Sequence, residues 1–205
     1  AQVTMIEAGT LGGTCVNVAI WGHEARVAMN DLVFREINVL GSLAYANDHP
    51  ATIAGMESLI AAMGRRYDNN PRVAFLQMGF LGFWGEWHTS NPAPVAVRKQ
   101  IVDLYLRAFR KTPLVFMSDD AEVLNYALAR GTGFRRDGVG SPWHEQNWIG
   151  SKKYAGVQGM DETWLRAPVV FEWFGNYDYL KSRNWSFDAA VNFMLSNHVT
   201  LINDN

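Results

Sequence analysis

The chain predicts an α/β protein built on a parallel sheet, and three observations support this. From about residue 54 onward, apolar runs of strand length alternate with segments of helical periodicity. Polar residues stand just after each run, as they do where the carboxyl edge of a parallel sheet carries a site. The intervals between runs are long enough for right-handed helical crossovers.

Taken in order, Met56, Leu59, Ile60 and Met63 mark one face of a first helix, which Asn69-Asn70-Pro71 ends. A strand over 73–80 follows. A loop with Asn91-Pro92 and Pro94 then leads to a helix bearing Ile101, Leu104, Tyr105, Ala108 and Phe109. Pro113 introduces a strand over 114–117, which runs into Ser118-Asp119-Asp120. The next helix carries Val123, Leu124, Ala127 and Leu128 and stops near Gly131. Residues 134–140 read as a weaker strand holding Arg135, Arg136 and Asp137. A tryptophan-rich loop over 142–166 precedes a strand at 168–173. The final helix shows Phe187, Ala190, Val191, Met194 and Leu195, and the strand over 199–202 ends at Asn203-Asp204. All of these helix faces are expected to be core. A complete eight-unit barrel takes about 250 residues, so 54–205 is expected to form a partial or incomplete (β/α)8 TIM-type barrel. Residues 1–53 form a shorter, β-rich segment of Rossmann-like strands, with strands expected at 3–6, 15–21 and 37–45 and a weakly patterned helix at 25–36.

Composition sets looser limits. At 205 residues one domain is expected and two are allowed. A formal charge of -2 gives no electrostatic reason to expect nucleic acid or an anionic membrane. No apolar run is long enough to span a bilayer, and no signal peptide is recognisable; the compartment stays open, since a leader could already be absent. One cysteine, Cys15, excludes an internal disulfide framework and a cysteine-built metal site. Of eight tryptophans, all but Trp21 fall between Trp84 and Trp185, which favours a stacking surface over ordinary core aromatics alone.

The chemistry concentrates at two strand ends. Residues 73–88 run from an apolar strand into glycines, Trp84, Glu86, Trp87 and His88; residues 168–176 repeat the pattern with Glu172, Trp173 and Asn176. Two carboxylates issuing from separate parallel strands fit a general acid/base, Glu86, and a nucleophile, Glu172. Trp84, Trp87, Trp143 and Trp173 would stack on sugar rings, and His88, His144, Asp119, Asp137 and Asn176 would bond hydroxyls. Asn176, Tyr177 or Arg136 would give Glu172 its polar setting. The plainer readings stand beside these. Glu86 could be a structural carboxylate tied to an arginine, Asp119-Asp120 a helix cap, and Arg135-Arg136 ion-pair partners. His88 and His144 lack tight ligand spacing, so no metal is expected.

On these residues the chain from about 55 onward resembles the carboxyl-terminal part of a glycoside-hydrolase-like (β/α) barrel family, itself similar to the large retaining glycosidase clan. The resemblance rests on Arg66-Tyr67-Asp68, Pro71 through Ala74, Gly82 through His88, Phe134 through Asp137, and Pro168 through Glu172. It implies an acid/base after the clan's fourth strand and a nucleophile after its seventh, and Glu86 and Glu172 stand three strand units apart. The clan carries Asn before its acid/base where this chain has Gly85. Residues 3–18 resemble flavin disulfide reductases, although Ile20 stands where their second redox cysteine would be. Residues 17–53 look like a zinc-dependent butanediol-type dehydrogenase, without its zinc ligands or a Gly-x-Gly-x-x-Gly cradle. The expectation is a mosaic with inert redox parts and no cofactor. Its partner would be an oligo- or polysaccharide, with a second subunit or a further chain segment completing the barrel. Three functions compete: a glycosidase, a non-catalytic carbohydrate-binding barrel, and a nicotinamide or flavin oxidoreductase remnant.

Overall fold

A computed structural model describes residues 14–17, 38–41, 49–82, 85–88 and 93–203, with side chains from residue 53 onward. The chain divides into two compact units, Ala1–Met56 and Glu57–Asn205. In the first, β1 (Thr14–Asn17) and β2 (Asn38–Gly41) pair in parallel, with Cys15 opposite Val39. The strand expected at 3–6 and the helix expected at 25–36 lie outside the described residues.

Helix α1 (His49–Tyr67) leads into the second unit. That unit is a five-stranded parallel sheet of β3 (Leu76–Gln77), β4 (Leu114–Met117), β5 (Gly133–Val139), β6 (Val169–Trp173) and β7 (Leu201–Asn203), hydrogen-bonded in that order. The sheet curls into a half-barrel. Parallel neighbours need a crossover, and α2 (Val95–Ala108), α3 (Ala121–Leu128), the segment containing α4 (Pro142–Gln146), and α5 (Tyr177–Ser182) with α6 (Phe187–Ser196) occupy the four intervals.

Side chains alternate along a strand, and the pairing register decides which of them share a face. Phe116 lies opposite Phe134, and Arg136 opposite Phe171, so these form one row. This row packs against Trp148, whose ring meets Phe134 at 5.7 Å, Phe171 at 5.4 Å and Phe193 at 6.4 Å. Phe116, Phe134 and Phe171 are fully buried, each contributing roughly 1.5–3 kcal/mol by leaving water. The opposite row holds Gln77, Arg135, Asp137, Glu172 and Asn203, in register Asp137 to Glu172 to Asn203. This second row builds the site.

Several expectations are trimmed. Only Leu76–Gln77 of the strand expected at 73–80 belongs to the ladder, although Met78 N–H still donates to the Val115 carbonyl at 2.9 Å before the chain turns away. The loop over 142–166 contains α4, which Pro142 initiates at its first turn, and two one-turn 3-10 helices. The final helix departs furthest from the expectation that its apolar face is core. Ala190 is its buried residue, while Phe187 is 43% and Leu195 69% exposed. Helix α6 precedes the edge strand β7, where Leu201 and Ile202 are also exposed, and among the described residues no strand lies beyond β7 to extend the core.

Candidate active site

The turn after β3 determines where Glu86 points. Gly82 and Gly85 have φ of 81° and 78°, and Trp87 joins them at 62°. A Cβ on Gly82 would sit 2.7 Å from the Trp87 nitrogen, so only glycine allows this closure. Trp87 N–H donates to the Leu81 carbonyl at 2.8 Å, and Gly85 N–H to the Gly82 carbonyl at 3.2 Å. The result is a reversal that sends Glu86 to the cleft and Trp87 into the core. Trp87 lies 4.6 Å from Phe116, ring centre to ring centre, and its indole N–H donates to the Met78 carbonyl at 2.9 Å. Buried, with its polar edge bonded, Trp87 is packing rather than a sugar platform. Trp84 lies outside the described residues.

At the carboxyl ends of the strands opens a cleft of about 980 Å³, lined by Glu86, His88, Asp119, Arg135, Asp137, Gly138, His144, Lys153, Glu172, Trp173 and Phe174. Carboxylate oxygens of Glu86, Asp137 and Glu172 lie within 4.8 Å of one another. Arg135 sits among them. Its Nε donates to Asp137 Oδ1 at 2.6 Å, its Nη2 to Asp137 Oδ2 at 3.0 Å and to Glu172 Oε2, and its Nη1 to Gln77 Oε1 at 2.7 Å. The same Nη2 lies 3.8 Å from Glu86 Oε1. Asn203 Nδ2 adds a second donor to Glu172 Oε2 at 2.5 Å, and His88 Nε2 meets Glu86 Oε2 at 2.8 Å. Three carboxylates this close would suit a divalent cation, but the guanidinium already supplies positive charge at their centre.

The polar setting of Glu172 therefore comes from Arg135 and Asn203, not from Asn176, Tyr177 or Arg136. Asn176 caps α5, its Oδ1 accepting from Tyr179 N–H at 2.9 Å. Tyr177 lies in the first turn of that helix, 59% exposed, its ring against Phe187. Arg136 has the wrong strand parity. It projects to the opposite face, buried beside the Trp148 ring. Burial pushes the Asp137 carboxyl up to about 6, with the Glu172 and Glu86 charges acting the same way and Arg135 opposing them.

A second cluster in the cleft has a different balance. Asp119 Oδ1 accepts from Lys153 Nζ at 2.9 Å and from Arg136 Nη1 at 3.4 Å. Its neighbour Asp120 is the helix cap, accepting from Val123 N–H at 3.2 Å and from Arg98 Nη1 at 2.6 Å. Burial first, then Arg136 and Lys153, push the His144 imidazole below its ordinary value. Its Nδ1 is buried without a partner among the described residues, which suits a neutral ring able to bond a ligand hydroxyl. Gly138 makes room for that ring: at φ 96°, its added Cβ would meet His144 Cδ2 at 2.4 Å.

An aromatic rim continues from the cleft wall. Trp173 stacks on Phe187 at 5.3 Å and 15°, and Phe174 meets His144 at 5.3 Å and Trp185 at 5.4 Å. Trp143, 64% exposed, sets its edge against His144 at 4.8 Å. Among the described residues neither Trp143 nor Asn176 lines the cleft itself. Arg135, Lys153 and Phe174 line it without having been expected there. Alternation from Phe134 was the signal that could have assigned Arg135, since a buried aromatic at 134 sends 135 and 137 to the other face.

No family model and no solved structure matches the chain. A stretch of 54 residues, 26% of the chain, is 41% identical to an (R,R)-butanediol dehydrogenase of Neisseria gonorrhoeae (strain ATCC 700825 / FA 1090). The matched stretch covers 15% of that enzyme's length. Part of the chain is thus similar to a dehydrogenase fragment, as its amino-terminal residues led us to expect.

Proposed function

We propose that the cleft acts on a carbohydrate as a retaining glycosidase, with Glu86 as general acid/base and Glu172 as nucleophile. One observation carries the reading: two carboxylates from strand ends far apart in sequence bring oxygens within 4.8 Å at the mouth of one cleft. Retaining enzymes hold their pair about 5–5.5 Å apart, inverting ones about 6.5–9.5 Å. In the first half-reaction Glu86 would give its proton to the glycosidic oxygen while Glu172 attacks the anomeric carbon and the bond to the leaving group breaks. In the second, Glu86 would take a proton from water as that water displaces Glu172. Both hydrogen bonds to Glu172 fall on Oε2, so Oε1 would be the attacking atom. Trp173, Phe174 and Trp143 supply apolar faces near the cleft for sugar rings. The butanediol dehydrogenase match is too short to carry an oxidoreductase reading.

A second reading, carbohydrate binding without catalysis, is favoured by Arg135, whose guanidinium engages both Glu172 and Glu86, and by Gly85. Turnover of a panel of aryl glycosides decides between the two. The glycosidase reading expects hydrolysis that Glu86→Gln abolishes. Saccharide binding without hydrolysis would favour the second.

A further inference from the structure

Resting on the glycosidase reading, we infer that Asp137 is a positioning residue whose carboxylate forks onto Arg135 and thereby sets how the guanidinium, already bonded to the nucleophile Glu172, divides its charge between the two carboxylates. Four of the hydrogen bonds already described hold the guanidinium. The fork takes Nε and Nη2, Gln77 takes Nη1, and Nη2 also donates to Glu172 Oε2 and lies 3.8 Å from Glu86 Oε1. A two-point fork of this kind needs both carboxylate oxygens as acceptors. Protonation turns one of them into a donor and removes that half of the fork.

The positive charge released from Asp137 must then go to the carboxylates still ionised. Glu172 stands first, because its contact with Nη2 exists already and it is opposite Asp137 in the ladder. A carboxylate closed upon by a guanidinium is a poorer nucleophile, since its electron pair is shared with the donor.

The surroundings of Asp137 are set by few groups. Arg135 comes from its own strand, Glu172 from β6 and Glu86 with His88 from the turn after β3, while Gln77 and Asn203 are neutral. Asp119, His144 and Lys153 also line the cleft, and the charges acting on the Asp137 carboxyl are those of Arg135, Glu172 and Glu86. Three carboxylates around one cation is an arrangement that takes up a proton as pH falls. The elevated proton affinity of Asp137, with its value of about 6, places the change in the mildly acidic range.

The test follows the Arg135 guanidinium by nitrogen-15 NMR through an acid titration, alongside the pH profile of aryl glycoside turnover. In the unaltered protein the Arg135 Nε–H resonance should shift with a midpoint near 6, and kcat should fall through the same midpoint while KM holds. Asp137→Asn, which cannot form the fork, should give a resonance and a kcat both flat over that range, with kcat lower by roughly 10–100-fold. Asp137→Glu should restore the titration. Should Asp137→Asn fail to fold, Asp137→Ser, which also lacks the titrating carboxyl, offers the same flat kcat profile. A guanidinium resonance that stays flat in the unaltered protein, or that titrates equally in Asp137→Asn, overturns the inference whatever turnover shows. A resonance that titrates as expected with no turnover of any glycoside retires the glycosidase proposal and leaves the fork standing.

Discussion

Two charged clusters of the cleft solve opposite charge problems. At one, three carboxylates share the single guanidinium of Arg135. At the other, the single carboxylate of Asp119 is shared by Arg136 and Lys153. Adjacent residues of one strand, Arg135 and Arg136, serve the two clusters because a pleated strand sends them to opposite faces. The carboxylate-rich cluster holds excess negative charge, where a proton can be gained and lost, and it contains the two residues of the proposed mechanism. In the cation-rich cluster Arg136 is buried and Asp119 is doubly held.

The largest expected effect breaks that contrast in its carboxylate-rich cluster. Glu86→Gln or Glu172→Gln should lower kcat on aryl glycosides by roughly 10²–10⁴-fold, whereas Asp119→Asn, in the cation-rich cluster, should mainly raise KM. Steady-state kinetics on the three variants checks this, and an equal loss of kcat from Asp119→Asn would dissolve the distinction.

Next comes Gly138, which lines the cleft beside His144. Gly138→Ala must drive a methyl into His144 at a φ of 96°, and should cost about 1–3 kcal/mol of stability, read by urea unfolding. The two tryptophans make a comparison of their own. Trp87→Phe leaves the buried Met78 carbonyl without its indole donor and should cost about 1–3 kcal/mol. Trp143→Ala should change stability by less than about 0.5 kcal/mol, as exposed substitutions do, and weaken saccharide binding instead.

The smallest effect concerns pH and stability. Asp68 accepts backbone N–H bonds from Thr112 at 2.8 Å, Lys111 at 3.0 Å and Arg110 at 3.1 Å. Its carboxyl is held down at about 2, below the ordinary 3.8, the Thr112 bond contributing most. A depressed carboxyl stabilises the fold above its unfolded value and loses that contribution as pH falls from about 4 toward 2. Asp137 has the opposite sign. Its raised value means that the native state binds the extra proton, so stability falls as pH rises from about 4 to about 6. Stability from these two groups should therefore peak near pH 4. Asp68→Asn should flatten the acid side of that peak and Asp137→Asn the other, measured by urea midpoints across the range.

Much of the barrel was legible because its signals are local. Val123, Leu124, Ala127 and Leu128 sit at helical spacing and all are buried, and the run Leu114–Met117 is a fully buried strand. The two carboxylates stood out because each follows an apolar strand into glycines and aromatics. What escaped notice depends on pairing and parity. Arg135 and Arg136 are indistinguishable as neighbours in a sequence until the register assigns their faces. Asn203 reaches Glu172 only through the β6–β7 ladder. Trp87 looked like a platform because its flanks are polar, but positive φ at Gly82, Gly85 and Trp87 itself turns it inward. The exposed face of α6 was hidden for a similar reason: apolar periodicity records a face and says nothing of what lies against it.

The central claim is that Glu172 makes a covalent bond to sugar. The most direct measurement incubates the protein with fluorinated aryl glycosides that stall at the covalent stage, then maps the adduct by peptide mass spectrometry. The account predicts one glycosyl group per chain, on the peptide containing Glu172 and absent from Glu172→Gln. An adduct on Asp137 or Glu86, or no adduct with a glycoside that the protein demonstrably cleaves, would contradict it.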